Sequence, residues 1–123
     1  MLYFFSGTDF DKARAAMHAA LEKKSKKTVP LRITDAHTRA DLDAALQGAG
    51  LFGGEHVVVL DNVYLNDELR DVLEARIPSL AKSADTYFML EGALDAATRK
   101  GIEKYATEFE RFDAKSAKKN ETI

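Results

Sequence analysis

Five short strand-like runs separated by four amphipathic segments predict an α/β protein with a three-layer fold, a five-stranded parallel sheet between helices on both faces. The runs and helical segments alternate strictly, β-α-β-α-β-α-β-α-β, with short connections, and that alternation favours parallel strands with helical crossovers. The run Val57-Val58-Val59-Leu60-Asp61 is uninterrupted, β-branched and closed by an acid, the composition of a strand buried on both faces in the middle of such a sheet. Pro30, set within the alternation Val29, Leu31, Ile33, lacks an N–H for the ladder and so marks its strand as an edge.

Taken in order, Leu2-Tyr3-Phe4-Phe5 forms the first strand and Ser6-Gly7 ends it. Thr8 or Asp9 caps a first helix with Phe10, Ala13, Met17, Ala20 and Leu21 on its inner face. The basic run Lys23 to Lys27 closes that helix, where cations suit the helix dipole. Thr38 and Asp41 have capping-box spacing and open a second helix through Leu42, Ala45, Leu46 and Ala49. Gly48 and Gly50 dissolve its end. Asn66 caps a third helix carrying Leu69, Val72, Leu73, Ile77 and Leu80, which Pro78 is expected to kink or end. Thr86 to Leu90 reads as the fourth strand, Glu91-Gly92 as its exit, Asp95 as the start of a fourth helix through Ile102 and Tyr105, and Glu108 to Phe112 as the last strand. There is no repeat or linker. Residues 1–113 read as one domain and 114–123 as a polar, frayed tail.

Composition narrows the function classes. Hydrophobic residues are 46% and charged residues 31%, a globular mixture, and the formal charge of −2 provides no overall basic field for nucleic acid. The absence of cysteine removes disulfides, thiolate nucleophiles and thiolate metal sites. Met1 to Phe5 is too short and too poor in basic residues for a signal peptide, and no segment has the length of a membrane span, so a soluble cytoplasmic protein is expected.

In parallel sheets, ligands bind beyond the carboxyl ends of the strands. Ser6-Gly7-Thr8-Asp9-Phe10-Asp11-Lys12 occupies the place of a phosphate-binding loop, but Lys12, Ala13 and Arg14 stand where glycine, lysine and Ser/Thr are required, and Asp9 and Asp11 repel phosphate. An N-capped helix start is the expected role, with no nucleotide or other cofactor. Val57 to Asn62 resembles a Walker B strand whose second acid is Asn62, which leaves Asp61 as a turn or capping residue, or as a Mg²⁺ ligand only beside phosphates and a partner carboxylate. His18, His37 and His56 lack the i, i+4 spacing of a helical metal pair, so no metal site is expected. Arg99, Lys100 and Lys104 read as a solvated basic turn.

The segment Gly48-Ala49-Gly50-Leu51-Phe52-Gly53-Gly54 sets a bulky apolar pair between glycines in a connection that should be short and exposed. Two arrangements are open. Leu51-Phe52 either tucks beneath the sheet as core or projects as an apolar plug for a partner's pocket, the kind of aromatic anchor that dominates many interfaces.

Three stretches, in order and suitably spaced, then resemble the first domain of the DNA polymerase III delta subunit, the wrench of the clamp loader: Tyr3 to Asp9, Leu51-Phe52-Gly53-Gly54-Glu55-His56-Val57-Val58-Val59-Leu60, and Leu94-Asp95-Ala96-Ala97-Thr98-Arg99-Lys100. The resemblance implies an AAA+/P-loop-like topology without a functional nucleotide site and a non-catalytic role in DNA replication. It implies that Leu51 and Phe52, with Gly50 and Gly53 as supporting backbone, insert into the sliding clamp (the beta subunit) and favour the open ring, a population shift. Other clamp-loader subunits are implied as partners, DNA only indirectly through the clamp, and no membrane. The lid and collar domains of that family have no counterpart in these residues.

A competing expectation is a small flavodoxin-like receiver or Mg²⁺-dependent phospho-acceptor using Asp61, with Asp9 as a second acid and Lys115 as the lysine after the last strand.

Overall fold

The computed structural model describes residues 1–25, 29–47 and 56–114. The strands are β1 (Leu2–Ser6), β2 (Leu31–Thr34), β3 (Val57–Asp61), β4 (Thr86–Leu90) and β5 (Glu108–Arg111). The helices are α1 (Phe10–Lys24), α2 (Arg39–Leu46), α3 (Asp67–Lys82) and α4 (Ala96–Tyr105), and a 3-10 turn covers Val63–Leu65. All ladders are parallel, in the order β2-β3-β4-β1-β5.

That order dictates the layers. Travelling from β1 to β2 runs one way across the sheet, whereas β2 to β3, β3 to β4 and β4 to β5 all run the other way. A right-handed crossover puts helices for opposite directions of travel on opposite faces. Accordingly α1 packs Ala13 and Met17 onto Tyr3, Phe5, Val57, Val59, Phe88 and Leu90. On the other face α2, α3 and α4 bring Leu42, Leu46, Leu69, Leu73, Ile77, Leu80 and Ile102 onto Leu2, Phe4, Val58, Leu60, Tyr87 and Met89. β1, β3 and β4 therefore carry apolar side chains on both faces, and Tyr3 stacks on Phe88 with ring centroids 5.3 Å apart.

The helix starts follow their sequence signals. Asp9 caps α1 by accepting from the Lys12 amide, Thr38 and Asp41 close a reciprocal capping box on α2, and Asn66 accepts from the Glu68 and Leu69 amides. Three boundaries and one position in the sheet differ from expectation. β2 lies at the edge, as Pro30 requires, but starts after the proline, leaving Val29 92% exposed. β3 is interior and fully buried but stands second in the sheet, and the middle place belongs to β4. α3 runs through Pro78 to Lys82, because Ile77 and Leu80 are buried in the core while Glu74, whose carbonyl loses its i+4 donor, is exposed to water. β5 stops at Arg111, and the Phe112 amide still donates to the Ser6 carbonyl at 2.7 Å.

Leu60 has no exposed surface and sits between β2 and β4 in register with Ile33 and Met89. Leu60→Ala is expected to destabilise the fold by about 2–5 kcal/mol, as cavity-forming truncations do, seen as a lower urea midpoint with an unchanged slope.

Candidate functional site at the carboxyl ends of the strands

β1 and β4 are neighbours whose following helices lie on opposite faces, so their carboxyl ends form the switch point at which an open α/β sheet leaves a crevice. Gly7 stands there with φ +133°, and a Cβ on it would come within 1.9 Å of the Phe112 carbonyl oxygen. Only glycine fits. The amides beyond β1 are turned onto the chain itself: Gly7 donates to the Gly92 carbonyl at 3.3 Å, Thr8 to Asp113 Oδ1 at 3.3 Å and Asp9 to the Phe112 carbonyl at 2.9 Å. The Thr8 hydroxyl in turn accepts from the Ala114 amide at 2.7 Å. Where a phosphate loop would present amides to a ligand, this connection is stitched to the segment after β5.

Two carboxylates end the neighbouring strands in opposite electrostatic states. Asp61, with its side chain 3% exposed, takes a bidentate pair from Arg14 of α1 at 2.9 and 3.1 Å and two further bonds from Arg32 of β2 at 3.2 and 2.6 Å. Burial alone would push its carboxyl up, but the Arg14 and Arg32 hydrogen bonds and charges outweigh that and hold it below the usual range. Arg14 also lies over the Phe10 ring at 5.0 Å, which fixes the guanidinium from behind. Glu91 has no such cation. It is 1% exposed, and burial, reinforced by the charges of Asp61 and Asp35, pushes it up to about 8 against the hydrogen bond that its Oε2 accepts from the Tyr64 amide. Asn62, in the left-handed region at φ 57°, turns the chain from β3 into the 3-10 turn that delivers this amide.

Sequence reasoning placed the phosphate-loop position and Asp61 correctly at this end but missed the partners. Asp61 is neither a turn nor a capping residue. Both of its oxygens serve guanidinium groups. Arg32 pairs in register with Val59 and so shares the α1 face, a relation that strand alternation reveals only once the β2–β3 register is known. Glu91 was read as a strand exit; its signal was position alone, one residue beyond a wholly apolar run.

Leu51, Phe52, Gly50 and Gly53 lie outside the described residues. Their flanks do not: Gln47 caps the end of α2, and the His56 carbonyl accepts from the Thr86 amide at 3.0 Å just before β3, so the flanks stand at the amino ends of the strands, opposite Asp61 and Glu91. The stretch from Leu94 is a built helix start, with Asp95 accepting from the Thr98 amide at 3.0 Å and the Thr98 hydroxyl at 2.7 Å. Arg99 is not part of a solvated face, for it donates to both oxygens of Glu103 at 3.1 Å with its side chain only 14% exposed.

The acids of the receiver expectation are engaged elsewhere. Asp9 is spent on the α1 cap, Asp61 on two arginines, and Lys115 lies outside the described residues. The strand order, with β1 between β4 and β5, also differs from the flavodoxin-like order 2-1-3-4-5. His37 Nδ1 accepts from the Thr34 amide at 2.9 Å, and among the described residues no group of three or more potential metal ligands gathers.

The two carboxylates give opposite pH dependences. Asp61 has its pKa depressed in the fold, so its contribution is present above the ordinary value of 3.8 and is lost as pH falls through the lower folded value. Asp61→Asn should cost about 1–3 kcal/mol at pH 7, a difference that shrinks in acid, measured by denaturant titration. Glu91 has its pKa raised from 4.5 to about 8, so the folded chain holds a proton that the unfolded chain releases, and stability falls as pH rises across that window. Glu91→Gln should therefore flatten the decline between pH 5 and 8 and exceed the parent by a few kcal/mol at the upper end.

No family model, curated protein or solved structure matches this chain.

Proposed function

We propose that this chain is a clamp-binding domain of the clamp-loader delta kind, acting in DNA replication without catalysis. Leu51 and Phe52 enter an apolar pocket of the sliding clamp and favour its open ring. Other loader subunits are its further partners, DNA is reached through the clamp, and the setting is cytoplasmic. One observation carries the reading: the β1–α1 connection stands where a phosphate loop belongs, yet the Gly7, Thr8 and Asp9 amides bond to the chain's own residues. That is the arrangement expected of an AAA+-like domain whose work is contact rather than nucleotide hydrolysis. Two further facts support it. The sheet is parallel with β1 inside it, and the described residues flanking the Leu-Phe segment, Gln47 and His56, lie at the amino ends of the strands, opposite the closed crevice. Among the described residues no helix is long and apolar enough to cross a membrane.

Calorimetric titration of the chain into the sliding clamp of its own organism tests the reading. Binding is expected, and Leu51→Ala/Phe52→Ala should abolish it while the melting temperature stays within a few degrees. A well-folded parent chain that fails to bind, or a double variant that binds equally well, would sink the proposal.

A further inference from the structure

On the α4 side of the closed β1–α1 connection lies a cavity of about 210 Å³, with Ser6, Gly92, Leu94, Arg99, Arg111 and Asp113 in its lining. Three of these residues have hydrogen-bonding capacity that the fold leaves over. Ser6 is 1% exposed and its hydroxyl is buried with no partner, an expensive state for a group that a neighbour or ligand could satisfy. Arg99 serves both oxygens of Glu103 through Nη1 alone. Arg111 pairs with Asp113 through Nε. A guanidinium carries five N–H donors in a fixed fork, so donors remain on both arginines.

We propose that this cavity binds a small oxyanion, a carboxylate or a phosphate, gripped by Arg99 and Arg111 and accepting from the Ser6 hydroxyl. Two arginines lining one cavity offer the directed donors that recognise such groups. The recognition differs from that of a phosphate loop, because the amides of Gly7, Thr8 and Asp9 are engaged elsewhere. Size limits the ligand as well: a volume of about 210 Å³ admits an oxyanion group but falls below the range of pockets that enclose drug-sized molecules. Charge sets the strength. Glu103 and Asp113 already neutralise the two arginines, so the grip comes from directed donors rather than a net positive field, and binding is weak. Asp113, whose Oδ1 also accepts from the Thr8 amide, is the group that holds the affinity down.

The test is a titration of the whole chain with sodium phosphate and, separately, sodium acetate, each against sodium chloride at matched ionic strength. Amide chemical shifts and melting temperature are read together. Saturable shifts centred on Ser6, Gly92 and Arg111 are expected with one of the two anions, and whichever produces them names the ligand class. Arg111→Gln should weaken that response about tenfold or more. Ser6→Ala should weaken it while leaving the ligand-free melting temperature equal or higher, because an unpartnered buried hydroxyl is removed. Asp113→Asn should strengthen it severalfold. Absence of saturation with both anions overturns the proposal, as does a response that Ser6→Ala and Arg111→Gln leave unchanged. A response lost in Arg111→Gln but intact in Ser6→Ala also overturns it, since that would mark a surface arginine and not the cavity.

Discussion

A β–α–β crossover is right-handed, so each direction of travel across a parallel sheet commits its helix to one face. Here β1 starts inside the sheet, between β4 and β5, and the chain crosses two strands to reach β2 before working back. One outward crossing and three returning ones leave α1 alone on one face and α2, α3 and α4 on the other. The same detour makes β1 and β4 neighbours with helices diverging above and below, which opens the crevice at their carboxyl ends. Fold and site thus share one cause, and the apolar two-faced strands β1, β3 and β4 are what that layering requires.

Beside α1 the sheet is covered unevenly, and the residues along its flanks respond to that. Toward β2 the gap is closed by Arg14 and Arg32 converging on Asp61, which converts an exposed sheet corner into a hydrogen-bonded lock between helix and edge strand. Toward β5, Glu108 and Glu110 flank Tyr3 and Phe5, with Lys24 lying 4.9 Å over the Tyr3 ring. Acids along an edge strand discourage pairing with another chain. Asp61 and Glu91 end adjacent strands, yet only Asp61 meets arginines. One carboxylate is therefore kept charged and the other is held toward its neutral form, and the charge of Asp61 is one of the causes that raise Glu91.

Most of the fold was legible because its signals are local. Strict alternation gave the parallel sheet, Thr38 and Asp41 gave a capping box, Asn66 and Asp95 gave helix starts, and Thr86 to Leu90 was bounded as found. The errors came where tertiary packing overrode a local rule. Pro78 breaks a helix by propensity, but the buried flanks Ile77 and Leu80 carry α3 past it. The site was legible in position and not in chemistry. An unfit phosphate loop can be read from Lys12, Ala13 and Arg14, whereas its closure depends on Phe112 and Asp113, about a hundred residues away along the chain. The arginines of Asp61 come from two other elements, and only the register of β2 on β3 brings Arg32 onto the α1 face.

Closure of the β1–α1 connection bears on how such a fold would act. In an open α/β sheet the carboxyl-end crevice is where small molecules bind and where loops move in response. Here the three amides after β1 are bonded to Gly92, Phe112 and Asp113, and a side chain at Gly7 would collide with the Phe112 carbonyl, so movement of this connection would break several hydrogen bonds at once. A ligand that binds two conformations equally shifts neither, and a connection held this tightly offers few conformations to choose between. The closed connection suits a rigid body better than a hinge at the crevice. Gln47 and His56 stand at the amino ends of the strands, where the Thr86 amide donates to the His56 carbonyl. Rigidity of this kind means that little of a partner's binding energy would be absorbed by the scaffold.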